Sequence, residues 1–148
     1  MPKKFNKIRP LALCVFRRGD KIFVSEGRDA QKNQTFYRPV GGKIEFGEYA
    51  ADTLKREVME EIKAEITEVS YLGILENIFT YEGQQGHEIC LIFDGRFVDE
   101  ARNADDYTVV GQDDAEILFK AMWKPLAFFK EDHAPLYPDG LLELLENI

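Results

Sequence analysis

Glu57, Glu60 and Glu61 stand at positions i, i+3 and i+4, a spacing that places three side chains on one face of a helix. Held roughly 5 Å apart at an effective dielectric near 20, each like-charged pair repels by about 3 kcal/mol. Such crowding calls for a compensating cation. A hard divalent ion with oxygen ligands provides one, and Mg²⁺ keeps water and substrate phosphates in its shell. Taken alone, however, the triplet is better read as a solvated face, because Glu is a good helix former and Glu-rich helices are commonly exposed.

The elements around the triplet reverse that reading. Ala51, Leu54, Val58 and Ile62 recur at intervals of three, four and four, one apolar stripe of a helix spanning about 48–63. The carboxylates flank this stripe and so lie beside the buried side. Glu48 falls at the helix start, where negative charge is favoured, and Gly41 and Gly42 permit backbone geometry that other residues resist. Gly42, five residues, Glu48, seven residues, then Arg56-Glu57-Val58-Met59-Glu60-Glu61 put seven specified positions in register across the twenty residues 42–61.

The full segment, GKIEFGEYAADTLKREVMEEIKA, resembles the box of the Nudix hydrolases. The resemblance implies an α/β chain with the Nudix fold, an α/β/α sandwich around a mixed β-sheet. It implies a pyrophosphohydrolase that acts on acid anhydrides of phosphorus, cleaving a nucleoside di- or triphosphate or another nucleoside diphosphate derivative with Mg²⁺, or Mn²⁺, as cofactor. By resemblance Glu57, Glu60 and Glu61 would bind the metal, and the Gly41–Gly42 turn would present a backbone carbonyl to it. Arg56 would orient a carboxylate, Glu48 would cap or brace the loop, and either Glu57 or Glu60 would act as base on the attacking water. The pattern departs at Lys63, where the family has glycine, and at Ala64, where it has an aliphatic residue. Glycine there ends the helix in a left-handed conformation. Lysine adopts it at modest cost and complements the helix C-terminus, so the departure concerns the helix end and not the ligands.

Elsewhere, residues 11–16, the turn at 18–20 and residues 21–25 read as a β-hairpin, and polar 26–35 as a loop. Residues 36–40 form a short extended piece that Pro39 places at an edge or bend. Strands follow over 66–79, with Gly73 marking a bulge, and over 87–98, joined by a turn at 80–86. Residues 99–114 read as an acidic loop, 115–123 as extended, 125–129 as a helical turn and 141–145 as part of a terminal helix. Strands, helix, strands, helix suggest a mixed sheet with helices on its faces.

Outside the box, Tyr37 and Arg38 precede the glycines and should border the same cleft, Arg38 holding a phosphate and Tyr37 stacking on a base; the competing account is an ordinary edge-strand pair. Arg28 is a weaker phosphate candidate, which solvation explains as well. Glu88 opens the strand HEICLIF, whose two faces are both apolar, and is a candidate extra ligand or base projecting toward the carboxylate helix; the alternative is a plain strand end. Its neighbour His87 reads as structural. Phe79, Tyr81 and Trp123 offer platforms for a nucleobase but fit a core at least as well. The acidic run with Asp105, Asp106, Asp113 and Asp114 lacks the regular ligand offsets of an EF-hand and reads as a mobile loop.

A chain of 148 residues, 45% hydrophobic and 31% charged, suits one globular domain over 1–148. Its net charge of -8 repels phosphate backbones and counts against long nucleic acids, but not against a small nucleotide bridged by a metal. Lys3, Lys4, Lys7 and Arg9 precede the apolar run LALCVF, only six residues long and too short for a secretory signal. No stretch is long enough for a membrane span. Cys14 and Cys90 sit in apolar runs as buried thiols, so a cytoplasmic enzyme is the expectation, and a homodimer is compatible with it. The rival readings are a non-catalytic, Nudix-like nucleotide-binding regulatory domain, an isomerase or glycosidase-like relative on the same scaffold, and an acidic interaction module.

Overall fold

A computed structural model describes residues 6–130 and 134–148; Lys3 and Lys4 lie outside the described residues. The elements run β1 (Ile8–Cys14), β2 (Lys21–Asp29), β3 (Gln34–Lys43), α1 (Ala50–Ile62), β4 (Ile66–Tyr81), β5 (Gln84–Phe97), a 3-10 turn (Glu100–Asn103), β6 (Thr108–Gln112), β7 (Leu118–Pro125), α2 (Leu126–Lys130) and α3 (Leu141–Glu146). The strands form a seven-stranded sheet in the order β4-β5-β1-β3-β2-β7-β6. Among the described strands only β1 and β5 run parallel, so the sheet is mixed and the α/β expectation holds.

β1 explains the arrangement. Its run LALCVF is buried at every position, as a strand covered on both faces must be. Ala12, Cys14 and Phe16 pack in one cluster with Leu54, Val58 and Ile62 of α1. Leu11, Leu13 and Val15 pack in a second with Leu141 and Leu145 of α3. Each such aliphatic side chain contributes roughly 1.5–3 kcal/mol on burial, so helices on both faces are the stable solution. Among the described residues no helix is long and apolar enough to cross a membrane.

Three expectations need correction. The hairpin of 11–25 exists only at its turn, where Arg18 and Lys21 form an antiparallel bridge and Phe23 N–H donates to the Val15 carbonyl; β1 itself pairs with β3 and β5, and β2 with β3 and β7. The polar stretch 26–35 is largely strand, because β2 and β3 pair as far as Asp29–Gln34, leaving only a tight turn. The stretch 99–114 contains the 3-10 turn and β6, too short and too weakly apolar to register as a pattern. The bulge at Gly73 is present as a register shift between Tyr71 and Gly73.

Side-chain bonds tie two turns of the sheet together and close the C-terminus of α1. The buried carboxylate of Asp29 accepts the N–H groups of Lys32 and of Glu82, while the Glu82 carboxylate accepts the N–H of Ala30, which latches the β2–β3 turn to the β4–β5 turn at one end of the sheet. At the C-terminus of α1, Lys63 adopts the left-handed conformation (φ 57°, ψ 34°) and donates its N–H to Met59 O, and its Nζ donates to Glu60 O at 2.9 Å. Arg102 adds bonds to the carbonyls of Ile62 and Lys63. These donors offset a left-handed lysine, whose cost is on the order of 1 kcal/mol.

Candidate active site

β3 carries Gly41 and Gly42 past β1, where they pair with Leu13 and Ala12. Gly41 has φ 152°, and a Cβ there would fall 2.0 Å from the Ala12 carbonyl oxygen; no side chain fits. A Cβ on Gly42 would fall 2.4 Å from Cδ of Glu57. The missing side chain at Gly42 is therefore the space in which the Glu57 carboxylate lies.

Glu57 is only 2% exposed, an unusual place for a carboxylate. Its Oε1 accepts a 2.7 Å bond from Arg56 Nη1, whereas its Oε2 is buried and receives no donor. Glu61 and Asp114 lie beside it, one oxygen from each of the three carboxylates falling within 4.8 Å of the others. Burial raises the pKa of Glu57, and Asp114 adds to the rise against the opposing pull of Arg56. Glu61 is raised by burial, then by Glu57, then by Asp114 and Asp113. A group of acids that ionises reluctantly and leaves an acceptor oxygen orphaned is suited to a hard cation.

A second chain of contacts holds that geometry. Arg56 Nε and Nη2 each reach Glu48 at 2.9 Å, and Nη1 also approaches Glu60 at 3.4 Å. Glu48 accepts in addition from Thr53 Oγ1 at 2.6 Å and from the Glu45 N–H. Bonding to Arg56 above all, then to Thr53, holds the Glu48 carboxyl down to about 2. Glu48 thus braces both the loop and Arg56, and Arg56 fixes the orientation of Glu57.

Of the box residues, the structure gathers Glu57, Glu61 and Gly42. Glu60 stays apart: its side chain is 51% exposed and its carboxylate turns to Arg56. Asp114, absent from the sequence-level candidates, completes the cluster. Its position depends on β6, whose backbone runs so close to the last turn of α1 that a Cβ on Gly111 would fall 2.8 Å from the Glu61 carbonyl oxygen. In the following turn Asp113 accepts the N–H groups of Ala115 and Ile117, and Asp114 meets α1. The only available signal was an adjacent acidic pair between two short apolar runs.

The candidates outside the box divide between the core and ion pairs or hydrogen bonds away from the carboxylate cluster. Tyr37 is 5% exposed, donates its hydroxyl to Glu26 and packs edge-on against Phe128 and Phe129; it cannot stack on a base. Glu88 alternates with Leu91 and Phe93, which pack toward α1, and so lies on the other face of β5, where it is held by Arg38 at 3.4 Å and Arg9 at 3.9 Å. It joins none of the helix carboxylates. Arg38 is accordingly committed to Glu88, and Arg28 braces its own hairpin through Thr35 and Asn33. Trp123 is a core residue that donates Nε1 to the Arg102 carbonyl. Both cysteines are buried, and burial pushes both thiols up, as expected for inert core residues.

A mixed sheet with the carboxylate helix on one face and a glycine pair under its central glutamate defines the class to which the chain is similar. The family profile of the NUDIX domain matches residues 7–140, and the chain belongs to the Nudix family. It is 34% identical over 71 residues to an NAD-capped RNA hydrolase NudC of Pseudomonas putida (strain W619), a match covering 48% of this chain and 25% of that protein. A NudC of Pseudomonas syringae pv. tomato is 32% identical over 69 residues, covering 47% and 24%. The matched stretch thus spans about a quarter of the length of these relatives. Among solved structures, a NUDIX hydrolase from Nitrosomonas europaea has a TM-score of 0.64 at 20% identity, covering 95% of this chain and 88% of that one. A MutT NUDIX hydrolase from Burkholderia pseudomallei has a TM-score of 0.59 at 17% identity, covering 96% and 98%. At these identities the structures establish the fold.

Proposed function

We propose that the chain is a Mg²⁺- or Mn²⁺-dependent pyrophosphohydrolase that cleaves a diphosphate linkage in a nucleoside di- or triphosphate or another nucleoside diphosphate derivative. The observation that carries this reading is Glu57 Oε2, a buried acceptor without a donor. Leaving such a group unsatisfied costs about 1–3 kcal/mol, and a bound cation removes that cost. The donor set is all oxygen, which suits Mg²⁺ or Mn²⁺ rather than a soft metal. Glu57, Glu61 and Asp114 would hold the ion, beside the backbone of Gly42. When bound, it polarises phosphoryl oxygens and lowers the pKa of water.

The remaining work belongs to the chain. Arg56 fixes Glu57 through Oε1 and so keeps the second oxygen directed into the cluster. Glu48 holds Arg56 in place through two bonds. Two glutamates can take the proton of the attacking water. Glu57 is buried and shared between Arg56 and the cluster, whereas Glu60 has an exposed carboxylate beside the same guanidinium, which favours Glu60 as base. The enzyme would act as a single cytoplasmic domain on small-molecule diphosphates. The NudC relatives are named for NAD-capped RNA, which puts dinucleotides and capped RNA in the substrate panel beside nucleoside triphosphates and nucleotide sugars.

The test is release of phosphate or nucleotide from that panel with Mg²⁺ or Mn²⁺. Turnover of at least one member, abolished by EDTA and by Glu57→Gln, supports the reading. Binding of nucleotides with no turnover of any member would sink it in favour of a regulatory domain.

A further inference from the structure

Away from the carboxylate cluster, four cationic side chains surround a cleft of about 430 Å³ at the β1–β2 loop and the end of β5: Arg17, Arg18, Lys21 and Arg96, with Asp20, Asp105 and Trp123 also in the wall. The volume lies in the range of small-molecule sites, roughly 300–1,000 Å³. For a chain with a net charge of -8, this is a local reversal of sign.

The cations are incompletely matched. Asp94 serves two guanidiniums, Arg17 Nε at 3.4 Å and Arg96 Nη1 at 3.6 Å, and also accepts the N–H groups of Arg17 and Gly95. The shorter bonds of Arg96 go to the carbonyls of Arg17 and Gly95, both at 3.0 Å; these are neutral acceptors, so its only charged partner is the Asp94 carboxylate it shares with Arg17. Lys21 is matched by Asp105 at 2.8 Å. Among the described residues Arg18 makes no side-chain hydrogen bond or ion pair, and Asp20 on the rim is in no ion pair. Four cations against Asp20, Asp94 and Asp105 leave one positive charge in surplus. The side chains of Arg17 and Arg96 remain 32% and 42% exposed, so their guanidinium edges can reach a ligand. Trp123 is buried and its Nε1 is committed to the Arg102 carbonyl, so the cleft offers no aromatic face for a base.

We propose that this cleft binds the phosphate group of a small anion through Arg17, Arg18 and Arg96, at a site separate from the metal carboxylates. Guanidinium groups suit oxyanions because they donate in a planar fork, and a shared, partly buried carboxylate holds two of them in place. None of the lining residues belongs to the Glu57–Glu61–Asp114 cluster, so the inference stands whether or not the hydrolase reading does.

The full chain, stripped of metal with EDTA, is titrated calorimetrically with inorganic phosphate, with pyrophosphate and with AMP. Stripping removes the carboxylate cluster from contention, since without a cation it repels phosphate. The proposal expects saturable binding with a Kd of about 10 mM or tighter. It expects Arg18→Gln and Arg96→Gln each to weaken binding by roughly fivefold or more, and Glu57→Gln to leave it unchanged. Arg18→Gln alters no bond of the fold and should leave Mg²⁺-dependent turnover as it is; a melting curve identifies any unfolding in Arg96→Gln. Equal affinities for phosphate and AMP assign the site to the phosphate alone, and tighter binding of AMP assigns it to a phosphomonoester. Absence of saturation with all three anions, wild-type affinity in both arginine variants, or loss of binding in Glu57→Gln would each overturn it.

Discussion

The carboxylate of Glu57 occupies the space where Gly42 has no side chain, so the two residues are parts of one cavity although they come from a strand and a helix. Gly42→Ala would set a methyl carbon 2.4 Å from Glu57 Cδ, and the glutamate would have to move. The expected outcome is a loss of about 1–3 kcal/mol of stability from overpacking. Mn²⁺ affinity should fall at least roughly tenfold, since the ligand is displaced. Chemical denaturation and Mn²⁺ titration by electron paramagnetic resonance measure the two effects separately.

Glu57 and Glu60 should be separable by substitution. Glu57→Gln removes the buried carboxylate proposed as a ligand, and turnover should fall by about 10²-fold or more together with metal affinity. Glu60→Gln leaves the three clustered carboxylates in place. Its metal affinity should stay within about threefold of wild type while kcat falls. Equal losses of metal affinity in both variants would show that Glu60 is a ligand, contrary to its exposed position.

Glu48 gives an acid-side signature. Its carboxyl is held down to about 2 in the fold, by Arg56 above all, against about 4.3 in an unfolded chain. A lowered folded pKa contributes stability that is present above the unfolded value and lost as pH falls toward the folded one. Wild type should therefore be more stable than Glu48→Gln at pH 6, with the gap closing between about pH 4.5 and pH 2. Urea melts across that window check it, and a gap that widens toward acid would contradict the assignment.

Glu57 and Glu61 have the opposite sign. Both are raised in the fold, first by burial, so the metal-free protein should lose stability as pH rises above the ordinary carboxylate range. A divalent cation should reverse the trend. Because binding must displace protons, Mn²⁺ affinity should increase with pH. Calorimetry in two buffers of different ionisation enthalpy should detect proton release, and identical heats in both would refute it.

The helix and its box were readable because everything they need is local. Leu54, Val58 and Ile62 set the buried stripe, and Glu48 reaches Arg56 across a single loop and two helical turns. What the sequence did not disclose depends on pairings between distant segments. Asp114 joins the site only because β6 packs on α1. The face that Glu88 occupies is not legible, because HEICLIF is apolar on both sides and alternation alone does not say which side meets the helix. Tyr37 stands beside Arg38 just before the glycines, where a cleft position is the natural reading, yet the β3 register turns it toward Phe128 and Phe129.

The parallel pairing of β1 with β5 has a consequence for how the chain is made. Ile8 is aligned with His87, and Cys14 with Phe93, so the most apolar strand is synthesised first and finds this partner only after some eighty further residues have emerged. Closing so long a loop is slow, and until it closes the edge of β1 that faces β5 has no strand partner and is open to association. Yield in a cell should therefore depend on chaperone supply and growth temperature more than the stability of the finished fold would suggest.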